Sequence, residues 1–457
     1  PFFIIEEWAF RGEISLTIFF VSILAGFLTW NAITTYWIGY ATVIGAVLAI
    51  LATSIYMSLS FIFLHISKRY FKRSGAYILF IVFWLAQEYL HNLWELAWPW
   101  LNLGNVFATV PEIVQWYSIT GRTGGSLWVL LVNLFFFAMV EKRRWFPGIA
   151  VILLIFLPVV TSFYLSRDVK KGDKGGIMAM AVQPDIDPYT EKFNGIPAIE
   201  QLKTMFKFCE LYDACLYVLP ETAYPEPVPL ERITETGFFE LIKSFLSRKK
   251  DAVVVTGFSP YVLYHTKETP TAKQIKSNPS IYVDYFNSAM LAEWGNIDVY
   301  HKNKLVIGVE RIPYPFIFGF LEPLALNLGG TAGSLATQGK PSVLNSLYYG
   351  IKIAAPICYE SVFGDYVSEM IRQGATIITV ITNDGWWDTS PGHYQHFQYA
   401  RLLAVETRRW IVRSANTGIS AIISPSGDVT AKLSYGKHGI VIGDVFLRDD
   451  ITPFVKY

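Results

Sequence analysis

Long apolar runs crowd the first 165 residues of the chain, whereas short apolar runs alternate with amphipathic stretches over the remainder. Five of the long runs, at about 13–30, 39–66, 76–98, 125–140 and 147–165, have the length and apolarity of membrane spans, for which about 20 residues suffice. They predict a polytopic α-helical membrane domain over residues 1–165. The fourth run is short, and FATVPEIVQWYSITG (107–121) before it reads as a re-entrant or interfacial piece. A soluble helical domain of this size would not enclose so much apolar surface.

After SRDVKKGDKGG (166–176), a polar, Gly-rich linker, the period changes. GIMAMAVQ (176–183), CLYVLPE (215–221), AVVVTGFS (252–259), KIAAPICYE (352–360), TIITVITND (376–384) and ISAIISPSG (419–427) read as strands. IYVDYFNSAMLAEWG and IDVYHKNKLV read as a longer pair. A helix fits 196–212, where Ile199, Leu202, Phe206 and Leu211 recur near helical spacing. Strands alternating with helices predict an α/β domain over 177–450.

Composition supports this division. Only 16% of residues are charged and 52% are hydrophobic, against about 25% charged in a typical soluble domain. A net charge of +1 gives no reason to expect a nucleic-acid partner, and three cysteines are too few for a disulfide framework or a zinc site. The loop basics Lys68, Arg69, Lys72, Arg73, Lys142, Arg143 and Arg144 mark one side of the membrane as cytoplasmic, and parity across five spans puts everything after residue 166 outside. Both ends look trimmed: the chain opens on PFFII, like the tail of an earlier apolar segment, and stops at TPFVKY. Within the third run, Glu88, His91 and Glu95 fall at i, i+3 and i+7, which predicts one polar helical face inside or at the rim of the membrane.

Three predicted strand ends carry reactive groups: Glu221 after Leu219-Pro220, Lys302 and Lys304 in VYHKNKLV, and Cys358 after KIAAPI. A carboxylate, an ammonium and a thiol are the parts of a nucleophilic acyl-transfer site. Each alone has an ordinary reading, as a core thiol, a solvated turn and surface lysines. Their order, and their common place at strand ends, set the two readings about level.

LPET, YHKNKLV and ICYES, in that order, resemble the Glu–Lys–Cys signature of the nitrilase superfamily. AWPWLNLG (97–104), AVQPDI (181–186), TNDGWW (382–387) and QHFQYARLLAVETRRWIVRSANTGIS (395–420) extend the resemblance over nearly the whole chain, to the family's membrane branch, the apolipoprotein N-acyltransferases. That resemblance implies a nitrilase-like αββα sandwich on a helical membrane domain. Glu221 then matches the general base, Lys302 rather than Lys304 the catalytic lysine, and Cys358 the nucleophile. Glu310 matches a second glutamate, and Tyr359 and Glu360 the two residues after the cysteine. Phe193, Trp386 and His396 match substrate-binding positions. The chain departs from the family pattern at Leu305-Val306-Ile307-Gly308-Val309 before Glu310, at Leu219, and at Gly385 and Trp387.

The activity so implied is transfer of an acyl chain from a phospholipid to the α-amine of a diacylated lipoprotein, through a cysteine thioester. It needs no metal and no cofactor. The place implied is a bacterial inner membrane, with the catalytic domain on the periplasmic side. Residues 311–337 are apolar for a loop and read as a lid hinged at Gly329, Gly330 and Gly333. Two rivals stay open here: a membrane-tethered amidase that passes the acyl group to water, and a non-catalytic protein with a degenerate nitrilase domain.

Overall fold

The computed structural model describes residues 1–142, 146–167, 169–193, 195–314, 316 and 334–457. The chain divides into two compact units, Pro1–Leu165 and Ser166–Tyr457. Most of the expected lid, 315 and 317–333, lies outside the described residues.

The first unit is helical: α1 (Phe2–Phe10), α2 (Leu16–Thr35), α3 (Ile38–Ala41), α4 (Val43–Tyr70), α5 (Arg73–His91), α6 (Tyr117–Lys142) and α7 (Phe146–Ser166). Among the described residues four helices are long and apolar enough to cross a membrane, namely α2, α4, α6 over Tyr117–Glu141 and α7 over Pro147–Ser166. Large apolar side chains such as Ile152, Phe156 and Val160 face outward on α7, which suits hydrocarbon rather than water as the surrounding medium.

The run expected to span at 76–98 behaves differently. Helix α5 stops at His91, and the amides of Asn92 and Leu93 turn back to the carbonyls of Tyr89 and Leu90, at 3.1 and 3.0 Å. Glu95 therefore leaves the helix, and the expected Glu88–His91–Glu95 face does not form. Pro99 keeps Trp98 out of helical backbone, so the helix does not resume before it. The indoles also find partners off the helix: Trp94 donates to His91 Nδ1 at 3.1 Å, and the rings of Trp98 and Trp100 stack at 5.3 Å.

Polar groups are gathered inside this unit. Lys68 is buried and bonds Glu6 and Glu7. Arg11 bonds Glu7 and Glu141 at 2.7 and 2.8 Å, and Arg73 bonds Glu141 at 2.9 Å. This network ties α1, α4, α5 and α6 together. Glu88 accepts from Trp84 Nε1 and Leu103 N, each at 2.9 Å, and from Ser126 Oγ at 2.6 Å, which fastens α5 to α6 and to the turn between them.

The second unit is built on two sheets. In the first, β15 (Gly439–Leu447), β1 (Lys174–Gln183), β2 (Leu216–Val218), β4 (Val253–Tyr264), β6 (Asn278–Tyr285) and β5 (Lys273–Ile275) lie in that order. β3 (Tyr224–Pro229) and β7 (Ser288–Glu293) also pair with β4, and β8 (Asn296–His301) pairs with β7. The second sheet runs β14 (Val429–Leu433), β13 (Ser420–Ile423), β12 (Ile411–Ala415), β11 (Ile377–Thr382), β10 (Ile351–Ala354), β9 (Leu344–Ser346).

Strand alternation fixes the layers. Ala179, Ala181, Leu216, Val218, Val253 and Val255 share a core with Ile353, Ile378 and Val380 of the other sheet. The intervening Met180, Val182, Tyr217 and Val254 face α8 (Ala198–Cys209) and α9 (Gly237–Arg248) instead. The second sheet packs in turn on α10 (Gly364–Arg372) and α11 (Pro391–Thr407) through Val367, Met370, Phe397 and Leu403. The result is the αββα sandwich that the resemblance implies.

Candidate active site

Each candidate side chain leaves the sheets just past a strand. β2 ends at Val218 and Glu221 follows on a tight turn, with Thr222 at φ +47°. That turn lies against β4 at Gly257, where a Cβ would come within 2.5 Å of Thr222 N and 2.7 Å of Glu221 Cα. The glycine is what lets the Glu221 backbone approach. β8 ends at His301, and Lys302 follows with its amide bonded to the Asn287 carbonyl at 2.8 Å.

Cys358 is not on a strand, although the apolar run through Ile357 predicts one. β10 ends at Ala354, Ile357 keeps a single bridge to Ile381 of β11, and Cys358 opens a 3-10 turn over Cys358–Val362. Its φ is +51°, a left-handed conformation that costs a side-chain-bearing residue roughly 1–2 kcal/mol. Such outliers cluster at functional sites.

The structure brings Glu221, Lys302 and Glu310 into direct contact. Lys302 Nζ donates to Oε1 of Glu221 and to Oε1 of Glu310, each at 3.0 Å. Asn287 Nδ2 bridges the same two oxygens at 2.7 and 2.8 Å. The departure before Glu310 does not displace it. The chain turns at Gly308 (φ +81°), and Glu310 Oε2 accepts the Val306 N–H at 2.8 Å. Lys304 points elsewhere, its ammonium 4.9 Å from the centre of the Phe363 ring.

Charge decides the protonation states. Burial alone would pull the Lys302 ammonium down, but Glu221, Glu310 and Cys358 outweigh it and hold its pKa well above the ordinary value. Burial pushes the Cys358 thiol up, Glu221 adds to that, and Lys302 opposes them. The resting group is therefore a thiol, and it reacts only if a base takes its proton as it attacks.

Glu360 joins two loops. Its Oε1 accepts Tyr300 O–H and the Asn303 N–H at 2.7 Å and the Lys304 N–H at 3.1 Å, while Oε2 accepts the Ile357 N–H at 2.9 Å. One carboxylate thus pins the residues after Lys302 to the residue before Cys358. Glu360→Gln keeps the shape but sets an NH2 against at least one N–H donor. It is expected to lower the turnover number roughly 10–100-fold with little change in KM, which steady-state kinetics checks. Tyr359 is buried, its ring edge-on to Phe363 at 5.0 Å.

His396 is buried on α11 against the Cys358 turn. Its Nε2 donates to the Cys358 carbonyl at 3.2 Å and pairs with Ser361 Oγ at 3.0 Å. Nδ1 lies 2.9 Å from Asp384 Oδ1, and Arg413 Nη2 donates to Asp384 Oδ2 at 2.7 Å. Burial would raise the Asp384 pKa, but Arg413 and His396 hold it well below the usual carboxylate range. A depressed folded-state pKa contributes stability above the unfolded value of about 4 that is lost as pH falls below it. Asp384→Asn is therefore expected to cost about 3–5 kcal/mol at pH 7 by stranding Arg413, and to flatten the loss of stability between about pH 4 and pH 2. Thermal melts across that range measure both effects.

Phe193 is exposed and stacks on Trp386 at 6.0 Å, and Tyr189 meets the same indole edge-on at 5.2 Å. These aromatic groups form an apolar surface, whereas His396 is enclosed. Asn287, Asp384, Arg413 and Ser361 went unread in the sequence. The only signal for Asn287 was a polar break in IYVDYFNSAMLAEWG, where one predicted strand is in fact two, β6 and β7.

Comparison with known proteins gives two family matches. A model described as carbon-nitrogen hydrolase matches residues 182–449, and one described as the apolipoprotein N-acyltransferase N-terminal domain matches residues 1–135. A protein named apolipoprotein N-acyltransferase from Chlorobaculum tepidum is 28% identical over 443 residues, covering 93% of this chain and 81% of that one. Another of that name from Wigglesworthia glossinidia brevipalpis is 27% identical over 419 residues, covering 90% and 78%. Among solved structures, Nit3 of Saccharomyces cerevisiae, a nitrilase-superfamily member, matches 60% of this chain and 91% of its own, with 16% identity and a TM-score of 0.42.

Proposed function

The chain belongs to the carbon-nitrogen hydrolase family, and we propose that it transfers an acyl chain from a phospholipid to the N-terminal α-amine of a diacylglyceryl-cysteine lipoprotein. The names of its relatives and the match of its N-terminal residues support the lipoprotein acceptor. One observation carries the chemistry: a buried Glu221–Lys302 pair acts electrostatically on a thiol held at positive φ.

Glu221 takes the Cys358 proton as sulfur attacks the ester carbonyl of the phospholipid. Charge developing on the carbonyl oxygen is held by the Lys302 ammonium and the Tyr359 N–H. The C–O bond breaks, Glu221 returns the proton to the leaving alkoxide, and a lysophospholipid departs from the thioester. The lipoprotein amine then attacks the thioester, Glu221 takes its proton, and the amide forms as the thiolate leaves and is reprotonated. Glu310 and Asn287 keep Lys302 in place, and His396 holds the Cys358 carbonyl as a positioning residue. Phe193 and Trp386 offer the apolar surface that an acyl chain requires. Both substrates are membrane lipids, which fits four apolar helices in the same chain. An inner-membrane place with Ser166–Tyr457 on the periplasmic side belongs to this proposal through the acceptor it assigns; the parity expected from five spans is not reproduced by the four apolar helices.

Incubation of the purified protein with phospholipid tests this reading. Intact-mass spectrometry is expected to show a gain of one acyl chain on the protein. No gain at any pH from 5 to 9 would overturn it.

A further inference from the structure

Outside the Glu221–Lys302–Glu310 cluster lies a second buried lysine that the mechanism does not use. Lys192 is 1% exposed. Among the described residues the acceptor for its ammonium is the backbone carbonyl of Glu221, at 3.0 Å. One neutral acceptor is poor compensation for a buried cation with three N–H donors. Burial draws its pKa down to about 7, with Glu221 pulling the other way, so the group is an ammonium on the acidic side of neutrality. A methionine would fill this place at lower cost to the fold.

The surroundings say what the cation is for. Lys192 precedes Phe193, whose ring stacks on Trp386. The same loop is held from α8, where Gln201 Nε2 donates to the carbonyls of Lys192 and Ile196, each at 2.7 Å. At its other end Lys192 reaches the turn that presents Glu221, where Thr222 has φ +47°. One side chain thus connects the aromatic loop to the turn bearing the base.

We propose that Lys192 is a positioning residue which seats the Phe193 loop on the Glu221 turn and supplies a second positive charge beside the base. The proposal rests on Glu221 acting as the base. The charged and titratable groups around Glu221 are then Lys302 with its partner Glu310, the Cys358 thiol, and Lys192, which bonds the Glu221 backbone carbonyl. Removing a cation from beside a carboxylate makes it ionise at higher pH. A prop with no electrostatic part would leave that titration where it was.

The test compares Lys192→Met and Lys192→Arg with the wild-type full chain, following the acyl-enzyme formed from phospholipid by intact mass across pH 5–9. Lys192→Met is expected to melt at or above the wild-type temperature and to acylate roughly tenfold more slowly or worse. The acidic limb of its rate profile should move up by about half a pH unit or more. Lys192→Arg keeps the charge, so its limb should stay put while its rate falls. A wild-type rate and limb in Lys192→Met would overturn the proposal, and so would a slow Lys192→Met with an unmoved limb. If Lys192→Met does not fold, Lys192→Gln takes its place: a slow variant with its limb moved up supports the proposal, and an unmoved limb overturns it. Absence of any adduct in the wild type would instead remove the proposed function itself.

Discussion

Cys358→Ala is expected to abolish acyl transfer while leaving the fold intact. The substitution removes only the sulfur. The backbone strain at φ +51° is unchanged, because alanine and cysteine both carry a Cβ. Stability should therefore shift by no more than about 1 kcal/mol. The reaction has no substitute nucleophile. Cys209 is buried on α8 beneath the first sheet, where burial raises its pKa, and Cys215 lies just before β2, at the end away from Glu221. Loss of a covalent nucleophile commonly lowers turnover about 10⁴-fold or more. Transfer of a labelled acyl chain to a diacylated lipopeptide measures the effect, and the melting temperature serves as its control.

Lys302→Met should have the second largest effect, and for two separable reasons. The first is catalytic: the oxyanion loses its cation, and Cys358 loses the positive charge that lowers its pKa. The second is structural. With the ammonium gone, Glu221 and Glu310 face each other across Asn287 with their charges unbalanced. Breaking a buried pair by removing one partner costs about 3–5 kcal/mol. The variant is expected to melt lower than wild type at neutral pH. Glu310→Gln in the Lys302→Met background should restore stability without activity. Melting curves on the single and double variants separate the two causes.

The candidate site residues could be picked out because they sit in short local patterns. LPET, YHKNK and ICYES each join an apolar strand to a polar end, and a period-2 run announces where the chain leaves a sheet. The α/β character was legible for the same reason, whereas the αββα layering came from the family resemblance; in the structure β1, β2 and β4 alternate between two cores. What failed depended on competition between local and distant forces. A window of apolar residues from 76 to 98 looks like a span, yet the helix ends at His91 and the amides of Asn92 and Leu93 close tight turns onto Tyr89 and Leu90. Cys358 looks like a strand residue, yet its turn is held by Glu360 reaching back to Ile357.

The supporting polar groups were not legible at all. Asn287 meets Glu221 across 66 positions, and Arg413 meets Asp384 across 29. Neither spacing leaves a mark in the pattern of apolar and polar positions. Glu360 is an intermediate case: the family resemblance singled it out, and only the four bonds of its carboxylate explain why.

A chase of the acyl-enzyme separates transfer to an amine from hydrolysis. Wild-type protein is loaded from phospholipid carrying a labelled acyl chain, separated from free lipid, and offered a diacylated lipopeptide. The account predicts that label leaves Cys358 and appears as an amide on the lipopeptide's N-terminal cysteine. Label released as free fatty acid, with the lipopeptide amine unmodified, would contradict it.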